Sequence, residues 1–154
     1  MKEKEVLSQV YLFRELTPSE MDILISISKE IRAQKDEVIF KEGETGDAFF
    51  LIVSGSIRIS TIVPGVGEEA LTILREGEYF GEMALIDDAP RSASAIANDD
   101  TILLLIEKDN FRKLLAQETD IAYKLLWVFT KTLSARLRKT DEQLKSILSI
   151  AKTF

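Results

Sequence analysis

Between about residues 36 and 107 the chain is cut by glycine into short β-prone runs, and this punctuation restricts its fold more than any other feature. Gly43, Gly46, Gly55, Gly65, Gly67 and Gly77 recur about every ten residues. The runs are Val38–Phe40, Phe49–Val53, Ile57–Val63, Ala70–Leu74, Ser92–Ala97 and Thr101–Ile106. They are rich in β-branched and aromatic residues, which suit a pleated, half-buried surface. Strands of that length and spacing build a sandwich, a jelly roll or a small barrel. Pro64-Gly65-Val66-Gly67 reads as a hairpin tip.

Helical patterns flank this β region. Val6–Ile31 is helical in character, with a start at Thr17-Pro18-Ser19-Glu20: Thr as N-cap, Pro at the first helical position, then an acid at the positive end of the dipole. Met21, Leu24, Ile25 and Ile27 to Ile31 continue at helical spacing. From Asp109 a short amphipathic helix carries Phe111, Leu114 and Leu115. A longer helix starts near Thr119 and runs past Ile150, with no Gly or Pro to stop it. Leu126, Thr130, Leu133, Leu137, Thr140, Leu144, Ile147 and Ala151 fit a heptad seam. We expect a two-chain coiled coil, because a bare apolar seam in water is a dimerisation surface. The alternative is one amphipathic helix packed on its own barrel. With 154 residues the whole reads as one domain: a helical lead-in and barrel over about 12–108, then C-terminal helices over about 109–154.

Composition removes whole classes of chemistry. The chain has no Cys and no His. Disulfides, iron–sulfur clusters and thiolate zinc sites are excluded, as are imidazole acid–base catalysis and His-lined metal centres. No metal is expected. The net charge of −6 lowers the prior for gripping nucleic-acid phosphates. Apolar runs such as Ala48–Val53 and Ile102–Ile106 fall far short of the roughly 18 residues a membrane helix needs. The mixed-charge start Met1-Lys2-Glu3-Lys4-Glu5 has no apolar signal region, so the expectation is cytoplasmic.

One stretch carries chemistry: Tyr79 to Ser94, which interrupts the strands with a helix-prone piece, Glu82–Ile86. Gly81 before it lets a ligand approach the backbone. The first amides of a helical turn are unpaired and suit an anion. Arg91, stiffened by Pro90, can hold two phosphate oxygens at once. Glu82 is an acceptor-only carboxylate, suited to a sugar hydroxyl. An anion grip beside a hydroxyl acceptor describes a sugar-phosphate site. The plainer alternative is a structural Glu82–Arg91 ion pair, with Gly81 an ordinary turn residue.

The stretch resembles the phosphate-binding cassette of the cyclic nucleotide-binding domain family. That family shows Phe-Gly-Glu-x-Ala-Leu followed by Pro-Arg-Ser/Ala/Thr-Ala; here stand Phe80-Gly81-Glu82-Met83-Ala84-Leu85 and Pro90-Arg91-Ser92-Ala93. Upstream, Gly43 to Ile57 is similar to the family's strand–turn–strand signature, and the likeness spans about Leu12 to Leu144. It implies a mainly β fold with flanking helices: a double-stranded β-helix, or jelly-roll, barrel with N-terminal helices and a long C-terminal helix. It implies that Glu82 accepts from the ribose 2′-hydroxyl, that Arg91 pairs with the cyclic phosphate, and that the amides of Ala84, Ser92 and Ala93 line phosphate and ribose, with Met83 beside them and Gly81 permitting the turn. In the family the C-terminal helix covers the base. Matching Arg136-Leu137 to the Arg-Leu pair of the family's bacterial regulators puts Thr140 at that contact; read without the resemblance, Thr140 is a polar residue tolerated in the seam. The residue after the family arginine tracks the base, Ala with adenine and Thr with guanine. Ser92 lies between, and we place cAMP ahead of cGMP.

The resemblance implies a regulatory sensor, not an enzyme: cAMP or cGMP as ligand, a homodimer through the last helix, and an unidentified protein partner. Bacterial regulators of the family continue into a helix-turn-helix domain, for which the residues before Phe154 leave no room. The basic residues Lys124, Lys131, Arg136, Arg138, Lys139, Lys145 and Lys152 read as the solvated flank of a coiled coil, so direct nucleic-acid binding is not expected. A start at Met1 favours a whole chain or the N-terminal sensor portion of a larger regulator. Further alternatives are a structural dimerisation domain with a degenerate pocket and, least favoured without His, a jelly-roll enzyme.

Overall fold

Residues 48–53 are an unbroken apolar run, and such a run is stable as a strand only when both of its faces are covered. In the computed structural model, which describes Lys2–Thr153, they open a central strand with both faces buried. Phe49, Leu51 and Val53 face a core shared with the helices, while Ala48, Phe50 and Ile52 face the barrel interior. The period of two therefore sorts one strand between two cores.

The order is α1 (Lys2–Gln9), a 3-10 turn (Tyr11–Phe13), α2 (Pro18–Ser26), β1 (Ser28–Ala33), β2 (Val38–Phe40), β3 (Ala48–Ser54), β4 (Ser56–Val63), β5 (Gly67–Arg75), β6 (Tyr79–Phe80), α3 (Met83–Ile86), β7 (Ser94–Ala97), β8 (Thr101–Glu107), α4 (Lys108–Gln117) and α5 (Thr119–Thr153). Two four-stranded sheets, β1-β8-β3-β6 and β2-β7-β4-β5, pack as a jelly roll. The strand pairs are antiparallel, with Leu51 opposite Leu104 in one sheet and Ile57 opposite Leu74 in the other. The helices close one face: Phe111 of α4 meets Phe49 edge-on at 5.4 Å, and Ile121, Leu125, Val128 and Phe129 of α5 are buried in the same core. Among the described residues no helix is long and apolar enough to cross a membrane.

The start of α2 follows the sequence. Thr17 Oγ1 accepts from the Glu20 amide at 3.2 Å, and Glu20 Oε1 accepts from the Thr17 amide at 2.9 Å. This reciprocal cap satisfies two otherwise orphaned donors. Glu20 also accepts from Lys124 Nζ at 2.7 Å, which ties α2 to α5.

The expected helical run through Ile31 is corrected. The Ile27 amide closes α2 on the Leu24 carbonyl, and Ser28–Ala33 pairs with β8, Ile31 opposite Leu103. Ile27 and Ile31 have helical spacing, yet Ile31 and Ala33 also have strand spacing, and the bare edge of β8 decides between them. The two-residue strand β6 was too short to show as a pattern. The expected strand from Ser92 begins at Ser94, because Arg91 to Ala93 belong to the site below.

Helix α5 has 35 residues, about 52 Å at 1.5 Å per residue. Its first half packs on the barrel. The face that does so carries Ile121, Leu125, Val128 and Phe129; Leu126, Leu133, Leu137, Leu144 and Ile147 of the expected seam are exposed in both halves, so the one-chain alternative does not describe the seam.

Candidate ligand-binding site

The site grows from a kink the sequence makes unavoidable. Gly81 holds φ +80°, a conformation an L side chain rarely adopts, and this turns the chain from β6 into α3. The same turn brings its carbonyl to Arg91 Nη1 at 3.1 Å. Arg91 Nη2 donates to the Ala48 carbonyl at 2.7 Å. The guanidinium stacks over Phe40, 4.0 Å from the ring centroid. Beneath it Phe50 and Phe80 stack at 5.0 Å, with Phe40 against both. Two glycines leave room for this cation. A Cβ on Gly81 would stand 2.7 Å from Nη1; one on Gly46 would collide with the Ala84 methyl and stand 3.2 Å from the guanidinium carbon.

Arg91 is only 7% exposed. Among the described residues it touches no carboxylate, and its Nε has no hydrogen-bond partner. Burial lowers its pKa, partly opposed by the more distant charges of Asp47, Glu44 and Glu82. A guanidinium has five N–H donors, and two here rest on carbonyls. A buried cation with neutral partners only is a preformed demand for an anion.

Glu82 does not meet that demand. Its carboxylate, in a residue 5% exposed, accepts from Arg136 Nη1 of α5 at 2.6 Å. The plain Glu82–Arg91 ion pair is therefore absent, and the two charges act separately on one cavity of about 570 Å³. That volume falls within the roughly 300–1,000 Å³ of small-molecule sites. Gly81, Glu82, Met83, Ala84, Arg91, Ser92 and Ala93 all line it. The Ala84 amide is weakly taken by the Gly81 carbonyl at 3.3 Å. Among the described residues no bond of the turns and loops takes the Ser92 or Ala93 amide. Ile59, Thr72 and Leu74 supply a largely apolar wall on β4 and β5.

The model for the cyclic nucleotide-binding domain matches residues 30–118, more than half of the chain. The chain belongs to this family. It is 35% identical over 133 residues to the cyclic AMP receptor protein of Thermus thermophilus, covering 86% of this chain and 60% of the relative. A cAMP-dependent protein kinase regulatory subunit of Emericella nidulans is 36% identical over 115 residues, 75% of this chain and 27% of the relative. The crystal structure of the Thermus thermophilus catabolite activator protein superposes with a TM-score of 0.78 at 34% identity, covering 89% of this chain and 62% of the other. The chain thus spans about three fifths of the length of the bacterial relatives it matches.

Within this cyclic nucleotide-binding domain the cassette is assembled from more of the chain than its motif contains. Five contributors lie outside the site residues expected from sequence. Phe40 and the Ala48 carbonyl hold Arg91, but nothing local marks either. Tyr79 lines the cavity and meets Phe129 of α5 edge-on at 6.2 Å; burial pushes its hydroxyl pKa up. Arg136 and Lys139 also line the cavity, whereas their charges read as coiled-coil flank. Their three-residue spacing off the apolar seam was the available signal, since such pairs share a helix face. Thr140 does not line the cavity: its hydroxyl donates to the Arg136 carbonyl of its own helix at 3.0 Å.

Proposed function

We propose that this domain is a cyclic nucleotide sensor, with cAMP the favoured ligand over cGMP. The observation that carries the reading is Arg91: a buried guanidinium without an anionic partner, beside a cavity. The cyclic phosphate takes that cation, helped by the Ser92 and Ala93 amides. The ribose 2′-hydroxyl donates to Glu82. The purine takes the apolar wall of Ile59 and Leu74. Relatives named for cAMP support the base preference. Nothing in this role calls for turnover; the domain binds and reports.

The report runs through α5. Arg136 on Glu82 and Phe129 edge-on to Tyr79 tie this helix to the cavity. A hydroxyl arriving at Glu82 changes what Arg136 can pair with, so ligand and helix position are linked. The ligand shifts that equilibrium only by its differential affinity for the two positions. The exposed seam of Leu133, Leu137, Leu144 and Ile147 pairs with a second copy, giving a cytoplasmic homodimer whose output goes to a partner protein or partner domain. A dimerisation domain with a dead pocket would gain nothing by burying two charges that avoid each other.

Calorimetry with cAMP and cGMP tests this directly. Saturable binding is expected for both, tighter for cAMP; no heat and no thermal stabilisation with either would end the proposal.

A further inference from the structure

Of the two cations that α5 sets against the cavity, one has no partner among the described residues. Of the α5 residues lining the cavity, Arg136 is held by Glu82. Lys139 lies one turn further on the same face and makes no ion pair or hydrogen bond among the described residues. Glu78 accepts from the Arg75 amide, Ile59 and Leu74 are apolar, and the Thr72 hydroxyl can donate or accept. A ligand with its phosphate on Arg91 and its sugar on Glu82 fills the remainder with its base, roofed by Lys139. An ammonium has three donors and no acceptor.

We propose that Lys139 is a specificity-determining residue that reads the purine edge and favours guanine. The proposal rests on the nucleotide-sensor reading above. The geometry selects by sign. Guanine presents two acceptors on its outer edge, N7 and O6; adenine presents one acceptor and an amino donor, which an ammonium can only repel. Lys139 therefore works against the cAMP preference of the rest of the site and leaves it tolerant of cGMP. Ser92 offers a separate route to guanine through its 2-amino group. Cyclic IMP separates the two, because hypoxanthine keeps O6 and N7 and lacks that amino group.

The test measures dissociation constants of cAMP, cGMP and cIMP for the full chain by calorimetry. Lys139 is exposed, so its substitution leaves the fold intact. In K139A, cGMP and cIMP should each weaken about fivefold, a modest factor for a charged donor open to water, while cAMP changes less than twofold. K139Q should shift selectivity further toward cAMP, since a carboxamide matches the adenine edge with one donor and one acceptor. An equal loss for all three ligands in K139A would place the ammonium on the phosphate and overturn the proposal. So would three unchanged constants, or a loss for cGMP without one for cIMP. Failure of the wild-type chain to bind any of the three would instead remove the sensor reading, and this inference with it.

Discussion

Replacing Arg91 with alanine separates a binding role from a structural one, because the two have opposite energetic signatures here. The structural contribution is small. Arg91 gives two hydrogen bonds to carbonyls and a stack on Phe40, together about 2–4 kcal/mol. Against this stands the desolvation of a buried cation that has no carboxylate partner, an effective penalty of several kcal/mol. The terms nearly cancel, so the ligand-free variant should lie within about 2 kcal/mol of wild type in urea denaturation. The binding contribution has no such offset. Removing the cation leaves a phosphate buried and unpaired, at about 2–5 kcal/mol, or roughly 30- to 5,000-fold in Kd. Calorimetry with cAMP should show that loss. A thermal scan gives the same answer from the stability side: ligand at 100 times its Kd adds about 2.7 kcal/mol, roughly 5–10 °C for a chain of this size. Wild type should show the shift, and R91A at the same ligand concentration should keep at most about a third of it. A variant that loses much stability while binding cAMP as before would refute the reasoning, since Arg91 would then be a structural strut.

Three further outcomes can be checked. E82Q should weaken cAMP about tenfold and leave 2′-deoxy-cAMP, already weakened in wild type, nearly unchanged; equal losses for both ligands would remove Glu82 from the sugar. The Glu20 carboxyl is held below its ordinary value of 4.5, first by the Lys124 hydrogen bond and then by the Thr17 amide. A lowered folded-state pKa means this stability is complete above about pH 4.5 and is lost as pH falls through the lower folded value; E20Q should lose about 1 kcal/mol at pH 7, and its deficit should shrink in acid urea titrations. L144D should convert a dimer into a monomer in sedimentation velocity at micromolar concentration, whereas a wild-type chain that already sediments as a monomer would remove the paired seam.

The sequence was readable where structure is local. The cap of α2 needs only Thr17 and Glu20, three residues apart, and the structure builds it as the types dictate. The glycines between the β runs mark real turns, five of the six at positive φ. The near half of the site was readable for the same reason, since Gly81 to Ala93 is one continuous stretch. The far half was not. Phe40, the Ala48 carbonyl and Arg136 reach the cassette through sheet pairing and a helix that returns across the barrel. Charge on α5 was misassigned because a solvated lysine and a cavity-lining lysine look alike in sequence. Only the position of the barrel beside α5 separates Arg136 and Lys139 from Arg138. The strand β1 was lost to the same kind of ambiguity, with the edge of β8 as the missing information.

That return of α5 across the barrel has a mechanical consequence. Arg136 and Lys139, three residues apart, line the cavity, while Leu133, Leu137 and Leu144 of the same helix lie exposed. Under the proposed function one rigid helix therefore carries both the lid and the seam, on faces that cannot rotate independently. In the proposed sensor a ligand that moves Arg136 by a fraction of a turn must re-aim Leu137, its neighbour in the chain. Pairing and occupancy are then coupled without any relay of intermediate contacts. Linkage makes that coupling reciprocal: if cAMP tightens the dimer tenfold, about 1.4 kcal/mol, dimerisation tightens cAMP by the same factor. Residues along the seam, none of which lines the cavity, would then set the apparent affinity for nucleotide.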